Sequence, residues 1–442
     1  MKRKIFGVGF VLLIALFAGC GASAQVSAEE TAVREATVSG FVTDTQGDGL
    51  IAQLVITGED YLARINTDML GRFAVTLPLG SYAVEITKGS EYERKAMTVE
   101  VTDRKAKYLG GVPLKKLYDT DWIAGDLHQH SVYSFDGTDS PADILLSDLS
   151  AGMGFGVVTD HNEVRANAEF LSAQLDGFIP VAGIEITTDK GHFNAINFDR
   201  VVDSDVSGGA ADIERIVGAV RESADALLQI NHPLRDGFTF DDWDLVRRFD
   251  IMEVWNGKSM PPYVDGEPNN LTLKKWYEML NDGLYLPATG GSDNHDIGGN
   301  RMFFAEEYKS DDERWFMTSM YSGAPRNYVL TKTTGAQGVL DALRSGNSFI
   351  TNNPLAFLDV DDAIPGEASA AGEKNIHVRI QSNRGLISYR LVKNGEPLHE
   401  EEITGLTAEN TVTAALQAGD WVVLEVRGEN GDYALTNPVF ID

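Results

Sequence analysis

Residues 155–162 read FGVVTDHN, an apolar run that ends directly in Thr159-Asp160-His161-Asn162. The run has the length of a buried strand, and the polar residues follow its C-terminal end without a spacer. The same join recurs on both sides of it. Upstream, Gly125-Asp126-Leu127-His128-Gln129-His130-Ser131 sets two histidines at i and i+2, which an extended segment points to one side. Downstream, Glu185 follows FIPVAG (178–183), His232 follows ALLQIN (226–231), and Gly291-Ser292-Asp293-Asn294-His295 follows YLPATG (285–290). IMEVW (251–255) is one more such run, and helical stretches lie between the runs at 142–153, 211–224 and 271–283. Repeated strand–helix units imply a parallel sheet, open or closed into a barrel, whose strand ends converge on one face. His192, which precedes the run HFNAINF, departs from this placement.

The chain has eight histidines, and six of them (His128, His130, His161, His192, His232 and His295) fall within this middle part. The other two, His377 and His399, sit in a β-patterned region and look incidental. Each of the six stands beside an acid, a Gly, a Pro or another His. Imidazole and carboxylate ligands without thiolate suit Zn, Mn or Fe, and argue against a copper thiolate site or a calcium cage. Six imidazoles with Asp136, Glu185 and Asp293 exceed the needs of one tetrahedral ion. The expectation is a cluster of two or three divalent ions and a hydrolytic reaction, with hydroxide held between the ions as the attacking group. Asp293 or His295 would move protons, and Asp160 would orient a ligand histidine. Asn256, Arg301 and Arg326 are the candidates for touching a small-molecule substrate.

The flanks have a different period. From Ala36 to Leu117, short alternating runs (TVSGFVTD, AQLVITG, RFAVTLP, SYAVEIT, KAMTVEVTD) are separated by turn residues, the pattern of a small antiparallel sandwich. From Leu355 onward the runs NIHVRIQS, ISYRLVKNG, TVTAALQAG and DWVVLEVRG point to a second one, with Asn394-Gly395 as a hairpin turn. The middle domain then spans 118–354 and the last sandwich 355–442.

The 442 residues are 43% hydrophobic, ample for a packed core, and carry 37 basic against 66 acidic side chains, a net charge of −29. Such a surface repels nucleic acid and anionic membranes, so an anionic substrate needs a local positive field, which bound metals supply. One cysteine, Cys20, excludes an intrachain disulfide and a Cys-rich zinc site. It follows a basic start (Lys2, Arg3, Lys4) and an apolar run of signal-peptide length. Phe17-Ala18-Gly19-Cys20 resembles a bacterial lipobox, with Phe17 in place of the usual Leu. Residues 1–20 then read as a lipoprotein signal, 21–35 as a tether, Cys20 as the lipidated residue, and the location as the bacterial cell envelope. The oligomeric state stays open.

Gly40 to Asp44, Thr67 to Phe73 and Leu77 to Tyr82 resemble the carboxypeptidase regulatory-like domain, which implies a non-catalytic spacer or binding module at 36–117. The ordered set DLHQHS, TDHN, GIE, GH, NHP and GSDNH resembles the PHP (polymerase and histidinol phosphatase) family over residues 122–350. Glu253-Val-Trp255-Asn256-Gly257, Gly323 to Val329, Ala342 to Phe349 and Asn437-Pro438-Val439 are similar to its CehA/McbA-like branch. The resemblance implies a distorted seven-stranded TIM-like (β/α) barrel and three metal sites. The first would use His128, His130, Glu185 and Asp293, the second Glu185, His192 and His232, and the third Asp136, His161 and His295. Phe135 is inserted where the family pattern has Ser-Asp-Gly. The wider family implies a phosphoesterase and the narrower branch a carbamate or amide hydrolase. A surface binding protein with a degenerate barrel is the rival from another class.

Overall fold

The computed structural model describes residues 35–59, 61–173, 175–297 and 321–442. Strands dominate, and five α-helices lie among the described residues. No helix among them is long and apolar enough to cross a membrane. Cys20 and Arg301 lie outside the described residues.

Two sheets carry the middle of the chain. One has five strands in the order Gly183–Thr188, Gly191–Ile196, Leu227–Asn231, Ile251–Asn256 and Ala288–Gly291. Every residue of Leu227–Asn231 and Ile251–Asn256 is buried, as expected of strands covered on both faces. The cover includes the helix Ala210–Arg221, which turns Ile213, Ile216, Val217 and Val220 inward at helical spacing. The other sheet begins Ile179–Val181, Phe155–Val157, Ile123–Asp126, Arg326–Val329, Ser348–Thr351. Gly125 lies against Phe155 so closely that a Cβ there would sit 2.4 Å from the ring. Parallel bridges join the two sheets: His161 to Glu185 at one side, Gln129 to Asn294 at the other.

These pairings depart from a regular (β/α) barrel in two ways. Gly191–Ile196 runs antiparallel to both of its neighbours. Ala288–Gly291 has a strand on one edge only, and on the other edge side-chain amides replace a ladder. Asn327 accepts from Gly290 N at 2.9 Å and donates to Gly290 O at 2.6 Å, and Asn437 does the same for Ala288 at 2.8 and 3.0 Å. A buried edge needs every backbone group paired, and two asparagines supply what a strand would. Asn437 is fully buried and also donates to Ser348 Oγ at 2.9 Å. Asn437→Ala strands Ala288 N–H and C=O, so denaturant unfolding should show a loss of about 2–4 kcal/mol. A loss below about 0.5 kcal/mol, within the range of a neutral surface change, would deny this role.

The C-terminal strands pack as two layers, the sheet Leu355–Val360, Gly372–Gln381, Thr407–Leu416 against Leu386–Lys393 and Trp421–Gly428, but the second layer is continuous with the middle of the chain. Ser348–Thr351 pairs with Tyr433–Thr436, which continues the same sheet into Trp421–Gly428, Leu386–Lys393 and Glu396–Glu402. Trp421, Val423, Tyr433 and Leu435 share one apolar core with Trp255, Trp276 and Ile230. Residues 355–442 are therefore built onto the middle of the chain. At the N-terminal end, a three-stranded and a four-stranded sheet enclose a core of their own, with Val38, Leu54, Phe73, Val84 and Val99.

Candidate metal centre

The six middle histidines meet at the strand ends. His128 and His130 follow Ile123–Asp126, His161 follows Phe155–Val157, His232 follows Leu227–Asn231, and Asp293 and His295 follow Ala288–Gly291. Glu185 lies within its strand rather than after it, because FIPVAG is split into Ile179–Val181 and the separate strand Gly183–Thr188. His192 opens the antiparallel strand that pairs with it. Asp126, buried at the head of the motif, ties the rim together. Its carboxylate accepts from His128 N at 3.1 Å, Ser292 N at 3.0 Å and Gly323 N at 2.7 Å. His232 and Asp293 have φ of 27° and 51°, a left-handed backbone that favours glycine. Such strain persists where surrounding structure enforces it, commonly at functional sites.

Glu185 is the hub. Its Oε1 lies 3.3 Å from His128 Nε2, 3.1 Å from His192 Nδ1 and 3.5 Å from His232 Nε2. Its Oε2 lies 3.6 Å from His130 Nε2 and 2.6 Å from His161 Nδ1. Asp293 Oδ1 stands 3.5, 3.2 and 3.6 Å from His128, His130 and His295. Asp136, despite the inserted Phe135, reaches His295 Nε2 at 3.1 Å and His161 Nε2 at 3.6 Å.

Four sets of donors lie close enough to share an ion: His130, Asp136, His161, His295; His128, His130, Glu185; His128, His232, Asp293; and His161, Glu185, His192. His192 and His232 also share Glu185 Oε1, at 3.1 and 3.5 Å, as the carried-over second site has them. Shared members make these overlapping faces of one cluster rather than three separate cages.

The donors fit metal ions. His128 Nδ1 is bound to Glu253 Oε1 at 3.0 Å, His130 Nδ1 to Ser134 Oγ at 3.2 Å, and His295 Nδ1 to Asp293 O at 2.8 Å. Each pinned Nδ1 leaves Nε2 to face the cluster, the arrangement metal-ligating imidazoles use. His128 Nε2 and His130 Nε2 are buried without a well-aligned hydrogen bond. Buried polar atoms are rarely left so. The charges also call for cations. Burial opposes a proton on His128, yet Asp293, Glu253 and Glu185 hold its pKa well above the usual value. Burial likewise opposes charge on His161, and Asp136 and Glu185 lift it to about 10. Burial and His295 push His130 the other way, well below. Against burial, His128 holds the carboxyls of Glu185 and Asp293 far below their usual range.

Three residues have other tasks than expected. Asn256 is fully buried and donates to Glu253 Oε2 at 3.0 Å and Asp293 Oδ2 at 3.3 Å, so it braces carboxylates rather than touching substrate. Arg326 is 1% exposed, and its guanidinium binds Gly323 O and Ala151 O. Its role is to hold the chain together. Asp160 binds Ser131 N and Ser131 Oγ, both at 2.6 Å, and so fixes the loop after His130 instead of orienting an imidazole.

Residues passed over in the sequence complete the site. Glu253, 1% exposed, also accepts from His232 N at 2.8 Å, so one carboxylate positions two histidines. An acid in the otherwise apolar run IMEVW was its signal. Glu253→Gln should weaken metal binding roughly 10–100-fold, by chelator competition, while the fold survives. Unchanged affinity would show that His128 needs no brace. At the mouth, Arg235 Nη1 lies 3.2 Å from Asp293 Oδ2 and its guanidinium sits over the Phe238 ring. Burial pushes the Lys258 ammonium below its usual pKa, and Asp293 pulls it back up. Phe238 meets His192 edge-on at 5.0 Å, and Phe135, 81% exposed, stacks on His161 at 4.8 Å.

No family model matches the chain, and no curated protein does. Among solved structures, it is similar to a two-domain protein from Bacteroides vulgatus described as containing a predicted PHP-like metal-dependent phosphoesterase. That pair has 16% identity, covers 73% of this chain and 95% of the other, and has a TM-score of 0.40. A protein from Bifidobacterium adolescentis described as a putative metal-dependent phosphoesterase has 18% identity, 39% and 87% coverage and a TM-score of 0.29. An amidohydrolase from Chromobacterium violaceum has 17% identity, 39% and 87% coverage and a TM-score of 0.28.

Proposed function

We propose that this chain is an exported, lipid-anchored metal-dependent hydrolase of the PHP type. Its core would be a distorted seven-stranded barrel that cleaves phosphate esters with two or three divalent ions, Zn, Mn or Fe. The observation that carries this is Glu185: one buried carboxylate within 3.6 Å of five imidazoles, flanked by Asp293. When bound, the ions would lower the pKa of a water toward neutrality and take up charge on the substrate oxygens.

The chain's own residues do the rest. Glu185, Asp293 and Asp136, with Glu253 beneath, bring four negative charges, which two divalent ions balance. A third ion would be balanced by an anionic substrate. Arg235 puts a guanidinium beside Asp293 Oδ2 in a chain with net charge −29, which favours a phosphate over a neutral carbamate. His295 and Asp136 are the more open members, with side chains 15% and 34% exposed, so the leaving group departs on that side and takes its proton from solvent there. Asp293, held ionised, serves as ligand or acceptor and not as the proton donor. Phe135 and Phe238 offer apolar walls to the leaving group.

Turnover of bis-p-nitrophenyl phosphate and 1-naphthyl N-methylcarbamate, measured side by side with Mn, tests the bond class. The phosphodiester should be cleaved and the carbamate spared. Cleavage of the carbamate alone would reject the phosphoesterase reading and keep the hydrolase.

A further inference from the structure

Five imidazoles form a closed ring around Glu185, and two phenylalanines stand on that ring. The centroids of His161, His192, His232, His128 and His130 follow one another at 5.7, 5.1, 5.8 and 5.1 Å, and the circle closes from His130 to His161 at 4.4 Å. Phe135 joins it at His161, 4.8 Å away and 21° from parallel. Phe238 joins it at the neighbouring edge, 5.0 Å from His192 and 5.9 Å from His232, at 65° and 72° to them. The donor group His161, Glu185, His192 thus has an aromatic ring against each of its two imidazoles.

Neither ring is there to fill the core. Phe135 is 81% exposed, more than any other large apolar side chain among the described residues, and Phe238 is 40% exposed. A lone exposed ring on a surface needs no explanation, but two seated on candidate metal ligands do. Both are also fixed in place. On either side of Phe135, Ser134 Oγ accepts from His161 N at 3.2 Å, and Asp136 reaches His295 and His161. The turn is so closed that a Cβ on Gly137 would sit 2.0 Å from Ser131 O. Phe238 follows Gly237, whose φ is 82°, and its N–H donates to Arg235 O at 3.0 Å. The Arg235 guanidinium lies 5.2 Å from the centre of the Phe238 ring, and Phe240, two residues on, is fully buried. A ring fixed beforehand loses little freedom when a ligand stacks on it.

We propose that the ester cleaved here carries an aromatic substituent, an aryl or heteroaryl group, held by Phe135 and Phe238 while its phosphate faces the metal ligands. This rests on the phosphate-ester reading of the centre and adds the substrate class to it. One face of Phe135 is turned to His161, and the other is open to a flat partner in the offset stack that aromatic pairs favour. The two phenylalanines then set which ester is taken, and the histidines and carboxylates set what happens to it.

Calorimetric titration of phenylphosphonate and of methylphosphonate into Mn-loaded protein tests this without turnover. The two share a head group, and neither has an ester bond to cleave, so the ring alone separates them. Phenylphosphonate should bind the parent about tenfold more tightly. The preference should narrow to about threefold in Phe135→Leu, which keeps apolar bulk without a ring, and should persist in Phe135→Tyr, which keeps the ring. Phe135→Leu/Phe238→Leu should abolish it. Equal affinity for the two ligands in the parent overturns the inference and leaves the phosphate-ester reading standing, as does a preference that survives the double variant. Binding of neither phosphonate overturns that reading and the inference with it.

Discussion

Glu185→Gln should leave a folded protein that holds less than one metal ion per chain and turns over substrate at least roughly 10³-fold more slowly, the size of a lost contribution of several kcal/mol. The substitution keeps the shape and removes one charge from the centre of five imidazoles. Both carboxylate oxygens are engaged, with His128, His192 and His232 at Oε1 and His130 and His161 at Oε2. An amide presents one oxygen and one NH2, and the NH2 cannot face an ion. The bond from Asn231 Nδ2 to Oε1, 2.8 Å long, can survive, so the strand need not move. Metal content by plasma mass spectrometry and turnover on the same sample decide the matter. Full metal and turnover within tenfold of the parent would mean that Glu185 is a structural acid.

Asp293→Asn should lower turnover by roughly 10²–10³-fold with a smaller loss of metal, because this carboxylate splits its duties. Oδ1 faces His128, His130 and His295, while Oδ2 is held by Arg235 Nη1 at 3.2 Å and by Asn256 Nδ2 at 3.3 Å. The variant loses charge at the edge of the cluster rather than at its hub, and it releases Arg235. The Michaelis constant for an anionic substrate should therefore change along with the turnover number. A fall in turnover with unchanged metal and unchanged Michaelis constant would assign Asp293 to the chemical step alone.

Much of this centre could be read from the chain because its donors sit next to strand-ending motifs. An apolar run that stops at His or Asp states both where the strand ends and which way the donor faces. His128, His130, His161, His232, Asp293 and His295 lie at such ends, and the structure brings all of them within one cluster. Which donors lie together is a matter of strand order: the antiparallel strand Gly191–Ile196 brings His192 to Glu185 Oε1 beside His232, and near enough to His161 to share an ion with it. Arg326 and Asn256 were misjudged for a physical reason. A polar residue near a site motif can face the mouth or brace the wall, and burial alone tells these apart. The continuity of the C-terminal strands with the middle sheet rests on ladders between residues 349–351 and 434–436, pairings that local periodicity does not encode. Asn327 and Asn437 were unreadable for a related reason, since an amide that stands in for a strand has no pattern of its own.

The central claim is that the cluster holds metal. Plasma mass spectrometry of the chain purified from residue 21 onward, beside His128→Ala/His130→Ala, measures it directly. Two or three equivalents of Zn, Mn or Fe per chain, lost in the double variant, is the expected result. A parent chain that stays empty after incubation with these ions, and so matches the variant, would contradict the account and leave a binding protein in its place.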